Sequence, residues 1–202
     1  MRIRRAEGID MTTRGNEALL VIDMQRDFCD EGAPLCVAGA MDCLPRVEDA
    51  VRHARSRNVP VVWIVREHHP TGCDVERFRR HLYKDGRGPC TRGTAGAELV
   101  GVLEIKPNDH KIVKTRFSGF HHTNLAQLLR DGLGVDCVVL AGVQSPNCIR
   151  ATAMDAVALD FEKVVVLSDA TASATPDVQA ANMHDLRNIG CTVVNVAEWA
   201  GA

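Results

Sequence analysis

Six short apolar runs, separated by turns and helical patterns, constrain this chain more than any other feature of its sequence. They are Ala18–Ile22, Val59–Val65, Lys111–Val113, Cys137–Ala141, Lys163–Leu167 and Cys191–Val196. Most are apolar throughout rather than alternating, as parallel strands covered on both faces must be. Between them, Leu44–Arg57 places Val47, Ala50, Val51 and Ala54 on one helical face, and Thr123–Leu133 does the same with Leu125, Leu128 and Leu129. Cys148–Leu159 is rich in Ala, and Asp177–Ile189 opens just after Pro176. This alternation predicts right-handed βαβ units and a doubly wound parallel sheet. Residues 66–108 break the pattern with a polar, Gly-rich stretch holding at most a short helix near Asp74–Leu82. Inside a compact domain such a stretch predicts a binding or lid segment, or an oligomer contact.

Composition narrows the function. The 202 residues suit one domain, 1–202, and no linker divides them. With 24 Lys+Arg against 26 Asp+Glu, the net charge of −2 gives no electrostatic reason to expect nucleic acid. No apolar run approaches the ~20 residues that cross a bilayer, so no membrane partner is expected. The N-terminal arginines are not followed by an apolar stretch before Ala18 and do not read as a signal peptide. A cytoplasmic protein is the expectation. None of the eight cysteines forms a CxxC, which removes zinc-ribbon and thioredoxin readings. Without a secretion signal they are expected as free thiols.

In open α/β sheets ligands bind at the carboxyl ends of the strands. Asp23 follows ALLVI, Lys114 follows KIV, and Cys148 lies seven residues beyond Ala141 at a helix start. Singly, each has an ordinary role as cap, solvated cation or buried thiol. Together they form an acid, a base and a nucleophile on equivalent ends of three parallel strands. An ammonium and a helix N-terminus lower a thiol's pKa, and a carboxylate takes its proton. The turn AGVQSPNC, 141–148, has the strand–turn–helix form of a nucleophile elbow, whose free N–H groups can hold an oxyanion. The expectation is a thiol hydrolase; a purely structural turn is its alternative.

LLVIDMQRDF, VKTRFSGF and LAGVQSPNCIRATAMDAVALDF, with GTAGAEL and SDATAS between and after, resemble the isochorismatase-like cysteine hydrolases. That group includes nicotinamidases, N-carbamoylsarcosine amidases and ureidoacrylate amidohydrolases. The resemblance covers a core of about 17–199. It implies a three-layer αβα fold, with a six-stranded parallel Rossmann-like sheet between helices, and an Asp23–Lys114–Cys148 triad. It also implies a cis peptide at Val143–Gln144 and an oxyanion hole from the N–H groups of Gln144 and Cys148. Phe28, Phe117, Phe120 and Ser145 would line the substrate. Metal-dependent nicotinamidases carry ligands at positions that here hold Glu67, His69, Cys73 and Pro89. With proline in the last place, no catalytic metal and no cofactor is expected, Glu67 and His69 being the residues that would hold one. His121 and His122 read as loop or cap residues, and Trp63 as strand core.

The reading that follows is C–N cleavage of a small amide or ureido substrate through a thioacyl-enzyme, in a homodimer or higher homo-oligomer. Its alternatives are vinyl-ether hydrolysis of the isochorismatase type, which needs no thiol, and a catalytically silent binding or assembly relative. A dinucleotide-binding protein is disfavoured, because Asp23–Phe28 holds no GxGxxG.

Overall fold

A computed structural model describes residues 16–201; the N-terminal stretch 1–15 and the last residue lie outside the described residues. Six parallel strands form one sheet in the order β3-β2-β1-β4-β5-β6. In chain order they are β1 (Glu17–Ile22), β2 (Val61–Arg66), β3 (His110–Lys114), β4 (Cys137–Val143), β5 (Lys163–Ala172) and β6 (Thr192–Val194). Reversal of the strand order beside β1 is the topological switch that opens a crevice at the strand ends in this class of sheet. The helices are α1 (Arg26–Cys29), α2 (Ala40–Ser56), α3 (Leu125–Gln127), α4 (Arg150–Ala158), α5 (Pro176–Asn188) and α6 (Val196–Gly201). This is the doubly wound α/β architecture that the strand–helix alternation predicts.

Strand residues divide by parity into two cores. Leu19, Val21 and Trp63 join Val47, Ala50, Val51 and Ala54 of α2 and Trp199 of α6. Ala18, Leu20, Ile22, Val62 and Ile64 join Leu125 of α3, Ala153 and Ala156 of α4, and Leu186 of α5. All six residues of β2 are buried, so this strand carries no alternation to betray which way each side chain points. Each large apolar side chain sealed in these layers contributes about 1.5–3 kcal/mol relative to exposure.

Several boundaries differ from the sequence reading. Helix α2 begins at Ala40, not Leu44, and takes Pro45 inside it. The missing Pro45 N–H leaves only a first-turn carbonyl without its helical partner, next to the exposed Met41, where water can reach. Strand β5 runs to Ala172 because a register shift opposite Leu140 and Gly142 lets it resume pairing at Thr171. The Thr123–Leu133 pattern becomes a short helix that widens into a π-turn over Leu128–Gly132. The expected helix near residue 74 is a 3-10 stretch, Arg77–Tyr83. Helices α1 and α6 were not legible in the periodicity, since four and six residues hold too little pattern.

Candidate active site

Gly142 fixes the geometry from which the site is built. It pairs with Ile22 in the β1–β4 ladder at φ 108°, and a Cβ there would stand 2.0 Å from the Ile22 carbonyl oxygen. Only glycine permits that approach. One residue on, Asp23 leaves β1 at φ 52° while its N–H still donates to Ile64 O of β2. A non-glycine residue in this left-handed region is strained, and such strain gathers at functional sites.

Asp23, Arg66 and Lys114 thus end three neighbouring strands, with Arg66 and Lys114 directly in register. The Lys114 Nζ donates to Asp23 Oδ2 at 2.7 Å and to Arg116 O at 3.1 Å. Both side chains of this pair are wholly buried. The second carboxylate oxygen, Asp23 Oδ1, is buried without a hydrogen-bond partner. Cys148 comes from the turn Ser145–Ile149 that precedes α4 and is 3% exposed. Its carbonyl accepts from Thr152 Oγ1, which accepts in turn from Gly119 N–H. The peptide between Val143 and Gln144 is cis, and the Gln144 carbonyl accepts from the N–H groups of Asn147 and Ile149.

The structure places Arg66, a residue the sequence reading passed over, beside the sulfur. Its Nη2 lies 4.0 Å from Cys148 Sγ. Nη1 donates to Glu76 at 2.9 and 3.1 Å and lies 3.4 Å from His68 Nε2. The guanidinium sits over the Phe117 ring, 5.5 Å from its centroid. Burial pushes the Cys148 thiol up from its ordinary range, and the Asp23 charge adds to this. Lys114 and Arg66 pull the other way without cancelling it. The expectation of a thiol that ionises readily in the resting protein is therefore corrected: the closed site raises its pKa.

Gln25 was also missed. Buried at the exit of β1, it accepts from Arg66 N–H and donates to Arg66 O, both at 2.7 Å, and donates to Ala97 O at 2.8 Å. Asp27 Oδ2 accepts from Cys90 N–H at 2.6 Å. These two side chains fasten the 66–108 excursion across the end of the sheet, and the segment's Glu76 closes it over Arg66. An acid or amide just past a strand end, facing a long irregular stretch, is the signal that could have found them.

Other expected residues divide. Phe117 borders the site through Arg66, and its ring stacks with Phe78 at 6.4 Å. Phe120 packs on Phe161 at 5.6 Å instead. Phe28 is buried in the core that contains Met24, Cys29 and Val37. Ser145 Oγ is 2.5 Å from Gln179 Oε1 and 3.1 Å from Ala172 O, so its hydroxyl ties the turn to β5 and α5. His121 and His122 are exposed and meet edge-on at 4.3 Å.

The residues at the metal positions do not fit a divalent cation. Glu67 is held by Lys111 Nζ at 2.5 Å and by Arg92 Nε at 3.4 Å. His69 Nδ1 faces Thr71 Oγ1 at 2.8 Å, and Cys73 is exposed. At the end of β2 the group beside Cys148 is Arg66, and a guanidinium there repels a cation. Among the described residues, no three His, Cys, Asp or Glu side chains gather as ligands.

A doubly wound parallel sheet with an acid, a lysine and a cysteine near its carboxyl edge sets the class of protein to look for. The chain belongs to the isochorismatase-like hydrolase family: residues 17–198 match the Isochorismatase domain. It is 52% identical over 187 residues to a probable inactive nicotinamidase of Arabidopsis thaliana, covering 92% of this chain and 95% of that protein. It is 26% identical to the ureidoacrylate amidohydrolase RutB of Agrobacterium fabrum, covering 91% of this chain and 88% of that one. The solved structure of an isochorismatase family protein from Desulfovibrio vulgaris superposes with a TM-score of 0.89 at 44% identity, covering 91% and 96% of the two chains. The family thus includes amidohydrolases. No helix among the described residues is long and apolar enough to cross a membrane.

Proposed function

We propose that this protein hydrolyses a C–N bond of a small amide or ureido substrate, with Cys148 as nucleophile. The observation that carries the reading is the buried Asp23–Lys114 pair, which leaves Asp23 Oδ1 without a hydrogen-bond partner and sets the carboxylate near enough to Cys148 to raise its pKa. Asp23 takes the Cys148 proton as sulfur bonds to the substrate carbonyl carbon. Lys114 remains charged and holds the carboxylate in place. The N–H groups of Gln144 and Cys148 are the proposed donors to the oxyanion. Asp23 then returns its proton to the leaving nitrogen, and the C–N bond breaks to leave a thioester. Water, deprotonated by Asp23, attacks the acyl carbon, the C–S bond breaks, and the thiol regains its proton. Proton transfer between Cys148 and Asp23 removes the carboxylate charge that adds to burial in raising the thiol pKa, so thiolate forms together with attack.

No step calls on a metal ion; turnover is expected to survive exhaustive chelation by EDTA. Eight free thiols fit a reducing, cytoplasmic setting. A single-domain chain acting as a homodimer or larger assembly completes the reading. Ammonia release from nicotinamide, biuret, ureido acids and N-carbamoyl amino acids tests it, with Cys148→Ala as control. Turnover lost in Cys148→Ala supports the proposal; ammonia release retained there removes Cys148 as the nucleophile. A second reading, a silent binding relative, is favoured by the near-complete burial of Cys148, and absence of turnover across the screen supports it.

A further inference from the structure

Arginine offers two edges for paired hydrogen bonding, and in Arg66 only one is used. Nη1 is committed to Glu76 and faces His68. The opposite edge, Nε with Nη2, is different: Nε is buried without a hydrogen-bond partner, and Nη2 has only the Cys148 sulfur at 4.0 Å. Arg66 as a whole is 1% exposed, so no bulk water satisfies that edge. A buried fork of N–H donors left unpaired is costly, and its geometry matches a carboxylate.

Charge points the same way. Glu76 is shared: Arg79 Nη1 lies 3.7 Å from its Oε2 and is itself buried without a hydrogen-bond partner. The Arg79 guanidinium lies against both Phe117 and Phe78, 5.2 Å from each centroid. One carboxylate thus faces two guanidinium groups. Asp23 and Lys114 pair with each other. Around Arg66 the guanidinium groups outnumber the one carboxylate they face.

We propose that the free Nε/Nη2 edge of Arg66 binds a carboxylate of the substrate, one attached directly to, or one carbon from, the carbonyl that Cys148 attacks. This rests on the hydrolase reading and makes it specific: the substrate is a compact anionic amide rather than a neutral one. The closeness of Nη2 to the sulfur sets the short link, because one small molecule must touch both. For an amide bearing the carboxylate on its carbonyl carbon, such as oxamate, water is consumed and the products are ammonia and oxalate. Arg66 is a specificity residue in this account, and the proton transfers stay with Asp23.

Calorimetric titration of the Cys148→Ala protein separates recognition from chemistry. Oxamate is expected to bind, with its neutral counterpart oxamide and the simple anion acetate each binding more weakly. Adding Arg66→Lys, which keeps the charge but loses the fork, is expected to weaken oxamate about ten- to a hundredfold, the range of a hydrogen bond to a charged group. Adding Glu76→Gln instead is expected to tighten oxamate, since it removes the resident carboxylate; this arm reports even if Arg66→Lys does not fold. Binding of oxamate no tighter than oxamide or acetate, or unchanged by both substitutions, overturns the inference. Oxamate binding that depends on Arg66, in a protein whose wild type releases ammonia from no amide, keeps the inference and overturns the hydrolase reading. Turnover of neutral amides alone, with no oxamate binding, does the reverse.

Discussion

Lys114 and Asp23 form an ion pair of 2.7 Å in which neither side chain reaches solvent. The pair joins the outermost strand β3 to β1 across the end of β2. Breaking it by removing one partner leaves an uncompensated buried charge. Lys114→Ala is therefore expected to lose about 3–5 kcal/mol of stability and all measurable turnover. Asp23→Asn leaves the buried Lys114 ammonium without its counter-charge and is expected to cost a similar amount while abolishing turnover as completely. Urea unfolding of both variants beside wild type reads the two losses.

His68 makes stability depend on pH. Burial and the Arg66 charge lower its pKa from 6.5 to about 4 in the folded chain. Below pH 6.5 the unfolded chain binds a proton that the folded chain refuses, so this contribution is complete above pH 6.5 and is lost as pH falls toward 4. The loss approaches about 3 kcal/mol at the acid end. His68→Gln removes the titration. Its unfolding free energy should fall less steeply than wild type between pH 6.5 and 4 in parallel denaturant series; parallel slopes would show that His68 carries no such dependence.

Gly142 tests the placement of Asp23. A methyl at this φ of 108° meets the Ile22 carbonyl, so Gly142→Ala must part β1 from β4 where Asp23 begins. The expected destabilisation is about 3 kcal/mol or more, in line with large backbone effects. Gly190, whose added methyl would meet nothing within 4 Å, is the control for left-handed strain alone. A melting temperature in Gly142→Ala no lower than in Gly190→Ala would remove the steric argument.

What the sequence could show follows from local pattern. Asp23 and Lys114 each end an apolar run, and Cys148 stands where a turn enters a helix, so all three were visible as polar exceptions at strand ends. Arg66 was equally a charged residue after an apolar run, but there it read as the exit to solvent. What pairs it is Glu76, ten residues on in a stretch without periodicity, while Gln25, just past β1, holds the Arg66 backbone N–H and carbonyl. A strand buried on both faces gives no alternation, so nothing local says that Arg66 turns toward Cys148. The thiol's raised pKa belongs here too: no local pattern shows that Cys148 is buried near the Asp23 charge.

The thioacyl-enzyme on Cys148 is the central claim, and trapping it is the most direct test. Wild-type protein incubated with slowly hydrolysed amides, acid-quenched and digested, is expected to carry the acyl mass on the peptide containing Cys148. The exposed Cys36 and Cys73 should stay unmodified. The adduct should be absent in Cys148→Ala and should decay with a rate matching the release of acid. Steady turnover with no adduct at Cys148, or an adduct on another cysteine that persists in Cys148→Ala, would contradict the account.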